Sequence, residues 1–176
     1  NNDTTVKEAQ ADLNACYMNG SLGVLVSGSL WLLVAWVAGQ IAPRQAIWVL
    51  LVGGAWIHPV SILLSRLSGI KGKQPVGNPL AKLAMESTLF MIFCIPLAYG
   101  LSLLHIEWFF LGMMAIIGGR YLTFTTLYGR KMYWLLGYAL GVSACLLYKS
   151  RASVAVITTT AGIIETCFGF ILLFHY

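Results

Sequence analysis

Six long apolar runs, separated by short polar turns, fill the sequence from residue 21 onward. Each run is long enough, or nearly so, for a helix rising about 1.5 Å per residue to cross a hydrocarbon core about 30 Å thick. The runs lie near 21–39, 46–66, 80–103, 108–128, 132–148 and 153–174. This pattern predicts an all-α membrane protein with six transmembrane helices, organised as a single domain over 1–176.

A shorter amphipathic segment, 4–18, precedes the first run. Thr5 and Glu8 have the spacing of a capping box, which marks the start of a helix. The apolar positions that share one helical face are Val6, Ala9, Leu13 and Tyr17. We therefore expect an N-terminal amphipathic helix that lies in the membrane interface, either as an anchor or as an element that docks a partner.

Composition and charge agree with a membrane protein. Hydrophobic residues make up 59% of the chain and charged residues 10%, which lies outside the range of soluble globular domains. The net charge of +5 comes from basic residues scattered between the apolar runs, not gathered on one surface. Nucleic acid is therefore not an expected partner, and membrane lipids are.

The distribution of lysine and arginine predicts the orientation. Seven basic residues fall on the side of the N-terminus and three on the opposite side, and the richer side is normally cytoplasmic. The first group comprises Lys7, Arg66, Lys71, Lys73, Lys82, Arg130 and Lys131, and the second comprises Arg44, Lys149 and Arg151. Six spans return the chain to its starting side, so both termini are predicted to be cytoplasmic.

Four ionisable residues interrupt the apolar runs, namely His58, Glu86, Arg120 and Glu165. A charged side chain inside hydrocarbon is costly unless partners satisfy it. Counting along the helices places Arg120 and Glu165 each about 15 Å from the cytoplasmic end of their spans, and all four residues within about 5 Å of one level. The sequence therefore predicts a polar cluster between the second, third, fourth and sixth spans.

Small and hydroxylic residues accompany the cluster and favour either close helix packing or access for a ligand. The supporting residues are Ser61, Gly118, Gly119, Tyr121, Thr123 and Thr166. In the fourth span the expected inward face carries Gly112, Ala115, Gly119, Thr123 and Thr126, and in the sixth it carries Thr158, Gly162, Glu165, Thr166 and Gly169. Pro59 and Pro96 each remove a backbone hydrogen bond, so both are candidate positions for a helix break.

Three functions fit such a cluster. In the first, the protein transports or binds a small anionic or lipid-like solute, with Arg120 holding the anion and Glu165 or Glu86 changing protonation. In the second, it is a non-catalytic structural or regulatory membrane subunit whose buried charges only fix the helix bundle. An intramembrane lipid-modifying enzyme is disfavoured, because the sequence has no H-E-x-x-H, G-x-S-x-G or Walker A motif and no aspartate within a span.

Each ionisable residue also has a purely structural interpretation. Arg120 and Glu165 form a packing ion pair in that interpretation, and Glu86 is satisfied by Lys82, four residues before it. His58 is then a hydrogen-bonded core histidine rather than a proton carrier. These alternatives stay open at the level of the sequence.

Two further patterns concern assembly and metal binding. Gly137 and Gly141 form a small-xxx-small motif in the fifth span, which serves either internal packing or homo-oligomerisation. The four cysteines form no C-x-x-C pair, and three of them lie within apolar runs. We therefore expect neither a metal site nor a cofactor.

Seven short strings of the sequence are distinctive in combination. They are Gly28-Ser29-Leu30-Trp31, Ile57-His58-Pro59, Asn78-Pro79-Leu80, Leu83-Ala84-Met85-Glu86-Ser87, Glu107-Trp108-Phe109-Phe110, Gly118-Gly119-Arg120-Tyr121-Leu122-Thr123-Phe124 and Leu127-Tyr128-Gly129. Together they resemble a family of small bacterial integral-membrane proteins catalogued as a domain of unknown function, over nearly the whole chain. The resemblance implies a multi-pass protein of the bacterial cytoplasmic (inner) membrane and no particular activity.

Overall fold

The computed structural model describes residues 5–67, 69 and 78–175, and in these ranges every regular element is a helix. The α-helices are α1 (Val6–Tyr17), α2 (Ser21–Gln40), α3 (Pro43–Leu67), α4 (Leu80–Ser102), α5 (Ile106–Tyr128), α6 (Met132–Lys149) and α7 (Val154–Phe174). A short 3-10 helix, Met18–Gly20, separates α1 from α2. The six predicted spans coincide with α2 to α7 to within a few residues at each end, so the all-α membrane class is confirmed.

Five helical segments of the described chain are long and apolar enough to cross a membrane. They are Val6–Gln40, Pro43–Leu67, Leu80–Ser102, Ile106–Tyr128 and Val154–Phe174, and α6 is not among them. However, α6 runs antiparallel along α5. The ring centroids of Tyr128 and Tyr133 lie 5.5 Å apart at one end, and those of Trp108 and Tyr148 lie 6.0 Å apart at the other. The chain thus returns to the far end of the bundle before α7 begins.

The membrane helices pack in the spatial order α3, α2, α7, α6, α5, α4. The interface between α2 and α7 is the most extensive, and the inner faces of the bundle build one hydrophobic core that includes Trp31, Phe109, Phe110, Tyr133 and Leu136. The outer faces carry large exposed apolar side chains, among them Trp36, Trp56, Phe93 and Leu97. Such an exterior suits contact with lipid, whereas a soluble protein would rarely expose it.

The first helix, α1, docks on one end of this bundle. Ala9 and Leu13 are buried against Leu80 and Leu127. Three side-chain amides fasten the helix: Gln10 donates to the Thr126 carbonyl at 2.7 Å, Asn14 to the Tyr128 carbonyl at 3.0 Å, and Asn78 to the Ala9 carbonyl at 2.9 Å. The predicted helix is therefore present, but its apolar face contacts protein. Its position in a membrane interface remains a prediction.

The start of α2 and the end of α7 lie at the same end of the bundle. Arg130, in the turn between α5 and α6, donates from Nη1 to the His175 carbonyl at 3.3 Å and from Nη2 to Asn19 Oδ1 at 3.2 Å. Asn19 lies between α1 and α2 in a left-handed conformation, with φ at 56°. The two ends of the bundled chain therefore share one side, as an even number of crossings requires. That this side is cytoplasmic remains a prediction.

Helix breaks do not occur at either of the two candidate prolines. Pro59 lies inside α3 and Pro96 inside α4, and both helices continue through them. In hydrocarbon an interrupted helix leaves several backbone groups unsatisfied, whereas a proline within a continuous helix removes a single hydrogen bond. Continuing the helix therefore costs less than breaking it.

Thr5 and Glu8 form the predicted capping box at the start of α1. The Thr5 backbone N–H donates to Glu8 Oε2 at 2.8 Å, and the Glu8 N–H donates to Thr5 Oγ1 at 3.4 Å. These hydrogen bonds, chiefly that of the Thr5 backbone, lower the pKa of the Glu8 carboxyl. Because the folded-state pKa is lowered, the stabilisation is complete above the ordinary glutamate pKa and is lost as the pH falls through the lowered value.

Acidification should therefore fray the first turn of α1 while the rest of the bundle stays folded. The backbone NMR chemical shifts of Val6 and Lys7 should move toward coil values as the pH falls. In Glu8→Gln the side chain can still accept the Thr5 hydrogen bond but does not titrate, so the same shifts should stay constant. An equal response to acid in both proteins would contradict this role for Glu8.

Candidate functional site

The guanidinium of Arg120, on α5, is partly buried and reaches toward α4. Its Nη2 donates to Thr88 Oγ1 at 3.1 Å, and its Nη1 approaches Met91 Sδ at 3.7 Å. The centroid of the Phe124 ring lies 5.2 Å from Arg120 Cζ, and Nε has no hydrogen-bond partner. A hydroxyl, a thioether and an aromatic face thus hold the guanidinium, and all three are uncharged.

No carboxylate contacts Arg120 within the part of the chain that the structure describes. The salt bridge found there joins Lys82 Nζ and Glu86 Oε1 at 3.8 Å, between successive turns of α4. Glu165 and Arg120 form no salt bridge with each other. The buried ion pair between Arg120 and Glu165 that the sequence suggested is therefore not formed.

Glu86 and His58 have different surroundings, and their depth in the membrane remains a prediction. Glu86 is exposed and paired with Lys82, and it lies two residues before Thr88, about 200° around the helix, so it faces away from Arg120. His58 is also exposed, yet it lies close enough to Arg120 for their charges to interact. In the described ranges none of the other three predicted residues forms a hydrogen bond or salt bridge with Arg120, so they do not form one directly bonded cluster.

Two helices, α3 and α4, flank Arg120 without packing extensively on each other in the described ranges. Near one end their side chains meet, where the ring centroids of Trp48 and Tyr99 lie 6.3 Å apart, and at the other end both helices contact α1. Between these ends Thr88 of α4 accepts a hydrogen bond from Arg120, and α3 carries His58, which is exposed. The guanidinium is thus accessible between two lipid-facing helices rather than through the core.

Glu165, on α7, is completely buried, with 0% of its surface exposed. Ser27 and Trp31 of α2 and Tyr121 of α5 surround its carboxyl within hydrogen-bonding reach. Neither carboxyl oxygen forms a hydrogen bond of good geometry, and the neighbouring Thr166 hydroxyl also lacks a partner. A second polar site therefore lies inside the bundle, separate from the lipid-facing surroundings of Arg120.

The close approach of α2 and α7 buries this second site. A Cβ atom at Gly28 would lie 2.6 Å from Thr166 Oγ1 and 2.8 Å from the Thr166 backbone nitrogen. A Cβ atom at Gly162 would lie 2.7 Å from Leu32 Cδ2, and a Cβ atom at Gly169 would lie 2.7 Å from Leu25 Cδ2. Since only a hydrogen fits at these positions, the glycines set the distance between the two backbones. The small and hydroxylic face predicted for the last span is confirmed as its packing face.

Stacked aromatic rings fix the position of Tyr121. Its ring stacks on that of Tyr133 with centroids 6.0 Å apart and meets Phe124 edge-on at 5.5 Å. The Tyr133 hydroxyl in turn donates to the Asn19 carbonyl at the end of the bundle. The Tyr121 phenol is thereby held beside Glu165 and Ser27.

The inward face predicted for α5 is wrong. Ala115, Gly119 and Thr126 are exposed, and the buried face carries Gly118 and Tyr121 instead. A Cβ atom at Gly118 would lie 2.9 Å from the Gly137 carbonyl oxygen, so Gly118 rather than Gly119 allows the close contact. Adjacent residues differ by about 100° around a helix, and the prediction rotated α5 by roughly that angle.

An open apolar groove of about 480 Å³ lies on the outer side of α5 and α6. It is lined in part by Gly119 and Gly141, where an added Cβ would meet no atom within 4 Å. Gly137 packs internally, because a Cβ there would lie 2.6 Å from the Gly118 carbonyl oxygen. The two glycines of the predicted motif thus have different surroundings. Homo-oligomerisation through this face remains a prediction.

Four residues that contact Arg120 or Glu165 were not predicted from the sequence. Thr88 and Met91 hold Arg120, and Ser27 and Trp31 surround Glu165. Ser27 and Trp31 are four residues apart on α2, a spacing that places them on one face, so a search for polar pairs at that spacing would have found them. Thr88 and Met91 give no such signal, because a threonine and a methionine within an apolar run are usual.

Two predicted supporting hydroxyls bond only within their own helices. The Ser61 hydroxyl donates to the His58 carbonyl at 2.9 Å, and the Thr123 hydroxyl donates to the Arg120 carbonyl at 2.7 Å. Over the described residues, no group of three or more His, Cys, Asp or Glu side chains is placed to hold a metal ion. The polar chemistry of the bundle therefore centres on Arg120 and Glu165.

A protein-family model matches this chain over residues 6–175, and it is described as a family of unknown function, DUF7010. The match spans nearly the whole sequence, including every membrane helix. No curated protein and no solved structure matches. The function therefore has to be argued from the two polar sites.

Proposed function

The chain belongs to the DUF7010 family of unknown function, and from its geometry we propose that it binds the oxyanion of a small anionic or lipid-like solute at Arg120. The observation that carries the proposal is the guanidinium without a counter-charge. Arg120 donates to Thr88 and Met91, and its Nε has no partner. An arginine side chain stays charged in proteins, and a charge surrounded by hydrocarbon needs an opposite charge beside it. A bound oxyanion supplies that charge.

The chemistry of the guanidinium indicates the class of ligand. Its planar array of N–H groups matches the oxygens of a phosphate or carboxylate, which it binds through two parallel hydrogen bonds. The exposed imidazole of His58, on α3, carries an N–H group that can donate to the same oxyanion. The surrounding faces of α3 and α4 are apolar, with Trp56 and Phe90 exposed, and they suit a solute that carries an acyl chain. A free inorganic anion presents the same oxygens.

This binding serves transport or solute capture in a bacterial cytoplasmic membrane. The apolar exterior and the five long apolar helices support the membrane setting. The position of Arg120 between two helices that pack little on each other supports entry of the solute from the lipid side.

Binding can be tested in phosphatidylcholine nanodiscs with two arms, one containing phosphatidic acid in the bilayer and one containing inorganic phosphate in the buffer. Native mass spectrometry measures retained phosphatidic acid, and broadening of the ³¹P NMR signal measures bound phosphate. Arg120→Gln should weaken binding by about tenfold to a hundredfold, as expected when hydrogen bonds to a charged group are lost. The arm in which the wild type binds identifies the source of the oxyanion.

The matched control is Arg44→Gln, which removes the same charge from an exposed position at the start of α3. It should bind like the wild type. If Arg120→Gln and the wild type bind equally in both arms, the oxyanion does not depend on Arg120 and the proposal is wrong.

A further inference from the structure

The charge at Arg120 limits the charge of its ligand. The guanidinium carries one positive charge, and its contacts in the described part of the chain, Thr88, Met91 and the Phe124 ring, are uncharged. A ligand with one negative charge therefore neutralises the site. A phosphate monoester carries a charge of about −1.5 to −2 at pH 7 and would leave excess negative charge in hydrocarbon. A carboxylate carries one charge, and its two oxygens match the planar guanidinium.

Arg120 also lies well inside the length of α5. It is eight residues from Tyr128 at one end and fourteen from Ile106 at the other, so its Cα lies about 12 Å and about 21 Å from the two ends. Because α5 is long and apolar enough to cross a membrane, a ligand bound there brings its polar group below the helix ends. Each further polar group adds a desolvation cost. The position thus favours a bare carboxylate over the phosphate and glycerol esters of a phospholipid.

One face of α4 leads from Arg120 to the far end of the helix. Thr88 and Met91, which contact the guanidinium, share this face with Tyr99, whose ring lies 6.3 Å from that of Trp48 on α3. Tyr99 follows Thr88 by eleven residues, which is about 16 Å along the helix. One leaflet contributes half of a hydrocarbon core about 30 Å thick, so an ordinary acyl chain spans about 15 Å. The distance therefore fits one extended acyl chain.

The residues along this distance are apolar on both helices. On α4, Ile95 lies on the same face as Tyr99 and is partly exposed, and on α3, Val52 and Ala55 lie one and two turns from Trp48 and are exposed. Of the most apolar stretches of α3 and α4, 11% and 6% are buried, against 33–39% for the other three candidate spans. These sides of α3 and α4 are therefore open to a hydrocarbon chain.

We propose that Arg120 binds the carboxylate of a long-chain fatty acid, whose single hydrocarbon chain lies between α3 and α4 and extends toward Trp48 and Tyr99. This inference rests on the proposed function of Arg120 and names the class of solute that the site prefers. Phosphatidic acid and inorganic phosphate present similar oxygens to the same guanidinium and bind it more weakly. The first has a higher charge and a larger polar group, and the second has no chain.

Displacement of oleate with a ¹³C-labelled carboxyl measures this preference. Wild-type protein in phosphatidylcholine nanodiscs is loaded with labelled oleate, and ¹³C NMR follows its bound and free carboxyl signals. Unlabelled oleate, methyl oleate and phosphatidic acid are then added separately as competitors. Methyl oleate keeps the chain but lacks the charge. It and phosphatidic acid should each compete at least about tenfold less well than oleate, as expected when hydrogen bonds between charged groups are lost or poorly matched.

Three variants separate the carboxylate contact from the chain contact. Arg120→Gln should lower the affinity for oleate by about tenfold to a hundredfold. Ala55→Trp places an indole where the chain lies, so it should weaken oleate binding by about tenfold and leave the binding of inorganic phosphate unchanged. The matched control is Ala115→Trp, because Ala115 is also exposed but lines the groove on the outer side of α5 and α6. It should bind oleate like the wild type.

The two proposals fail in different ways. If phosphatidic acid displaces labelled oleate as well as unlabelled oleate does, or if Ala55→Trp and Ala115→Trp bind oleate equally, the preference for a long-chain carboxylate is overturned while oxyanion binding at Arg120 stands. Oleate that binds equally to the wild type and to Arg120→Gln also overturns this inference, and phosphatidic acid and phosphate then decide the proposed function. If the binding of no probe depends on Arg120, both are overturned.

Discussion

Substitution of Gly28 by valine should prevent the protein from reaching a stable native fold. A Cβ atom at Gly28 would lie 2.8 Å from the backbone nitrogen of Thr166, and a backbone atom cannot rotate away as a side chain can. Forcing α2 and α7 apart would disrupt the most extensive interface of the bundle and open the site around Glu165. We expect the free energy of unfolding in detergent micelles to fall by more than about 3 kcal/mol, at or beyond the upper end of overpacking effects.

The control lies on the same helix. At Gly23 an added Cβ would meet no atom within 4 Å, so Gly23→Val should change the unfolding free energy little. Both substitutions change the intrinsic helix propensity by the same amount, so their comparison isolates the contact with α7. A Gly28→Val protein as stable as Gly23→Val would show that α2 and α7 do not approach as described.

The second large effect separates binding from stability. Arg120→Met keeps an unbranched apolar side chain in the same space but removes the charge. Because Arg120 has no carboxylate partner in the described bundle, removing it leaves no opposite charge buried and unpaired. We therefore expect oxyanion binding to disappear while the unfolding free energy of the ligand-free protein changes by less than about 1 kcal/mol or rises. Denaturation in mixed micelles, with and without phosphatidic acid, measures both quantities.

The structural-subunit alternative gives the opposite result. If Arg120 and Glu165 formed a buried ion pair, removing one partner would cost about 3–5 kcal/mol because the other charge would remain buried and unpaired. A double-mutant cycle of Arg120→Met and Glu165→Gln would then show strong coupling in the ligand-free protein. A stability loss of that size in Arg120→Met would favour a scaffold over a binding protein.

The membrane helices could be predicted because a run of apolar residues along the chain is enough to indicate a span, without knowledge of its neighbours in space. A run of apolar residues sets both the existence and the length of a span, and Asn78 marks a start by accepting a hydrogen bond from the Leu80 N–H at 2.9 Å. The docking of α1 could not be predicted in the same way. Its amphipathic face fits lipid and protein equally well, and only the presence of Leu80 and Leu127 at the end of the bundle decides between them.

The sequence predicts how far along its helix each site residue lies, but it does not predict the direction in which the side chain points. Depth follows from counting residues at about 1.5 Å each, and this count selected Arg120 and Glu165. Rotation about the helix axis depends on which neighbours pack where, and the sequence does not contain that information in readable form. Glu86 therefore faces away from Arg120, and Gly119 was predicted to face inward although the neighbouring Gly118, about 100° away around the helix, does so.

The most direct test of an oxyanion on Arg120 is a distance measured by solid-state NMR between arginine guanidinium nitrogens and phosphorus. The protein, with ¹⁵N-labelled arginine, is placed in bilayers that contain phosphatidic acid and are bathed in inorganic phosphate. We predict a ¹⁵N–³¹P contact consistent with direct hydrogen bonds of about 2.8 Å between nitrogen and oxygen. This contact should vanish in Arg120→Gln and persist in Arg44→Gln. A wild-type Arg120 that shows no phosphorus contact, and instead lies in contact with the Glu165 carboxyl carbon, would contradict the account.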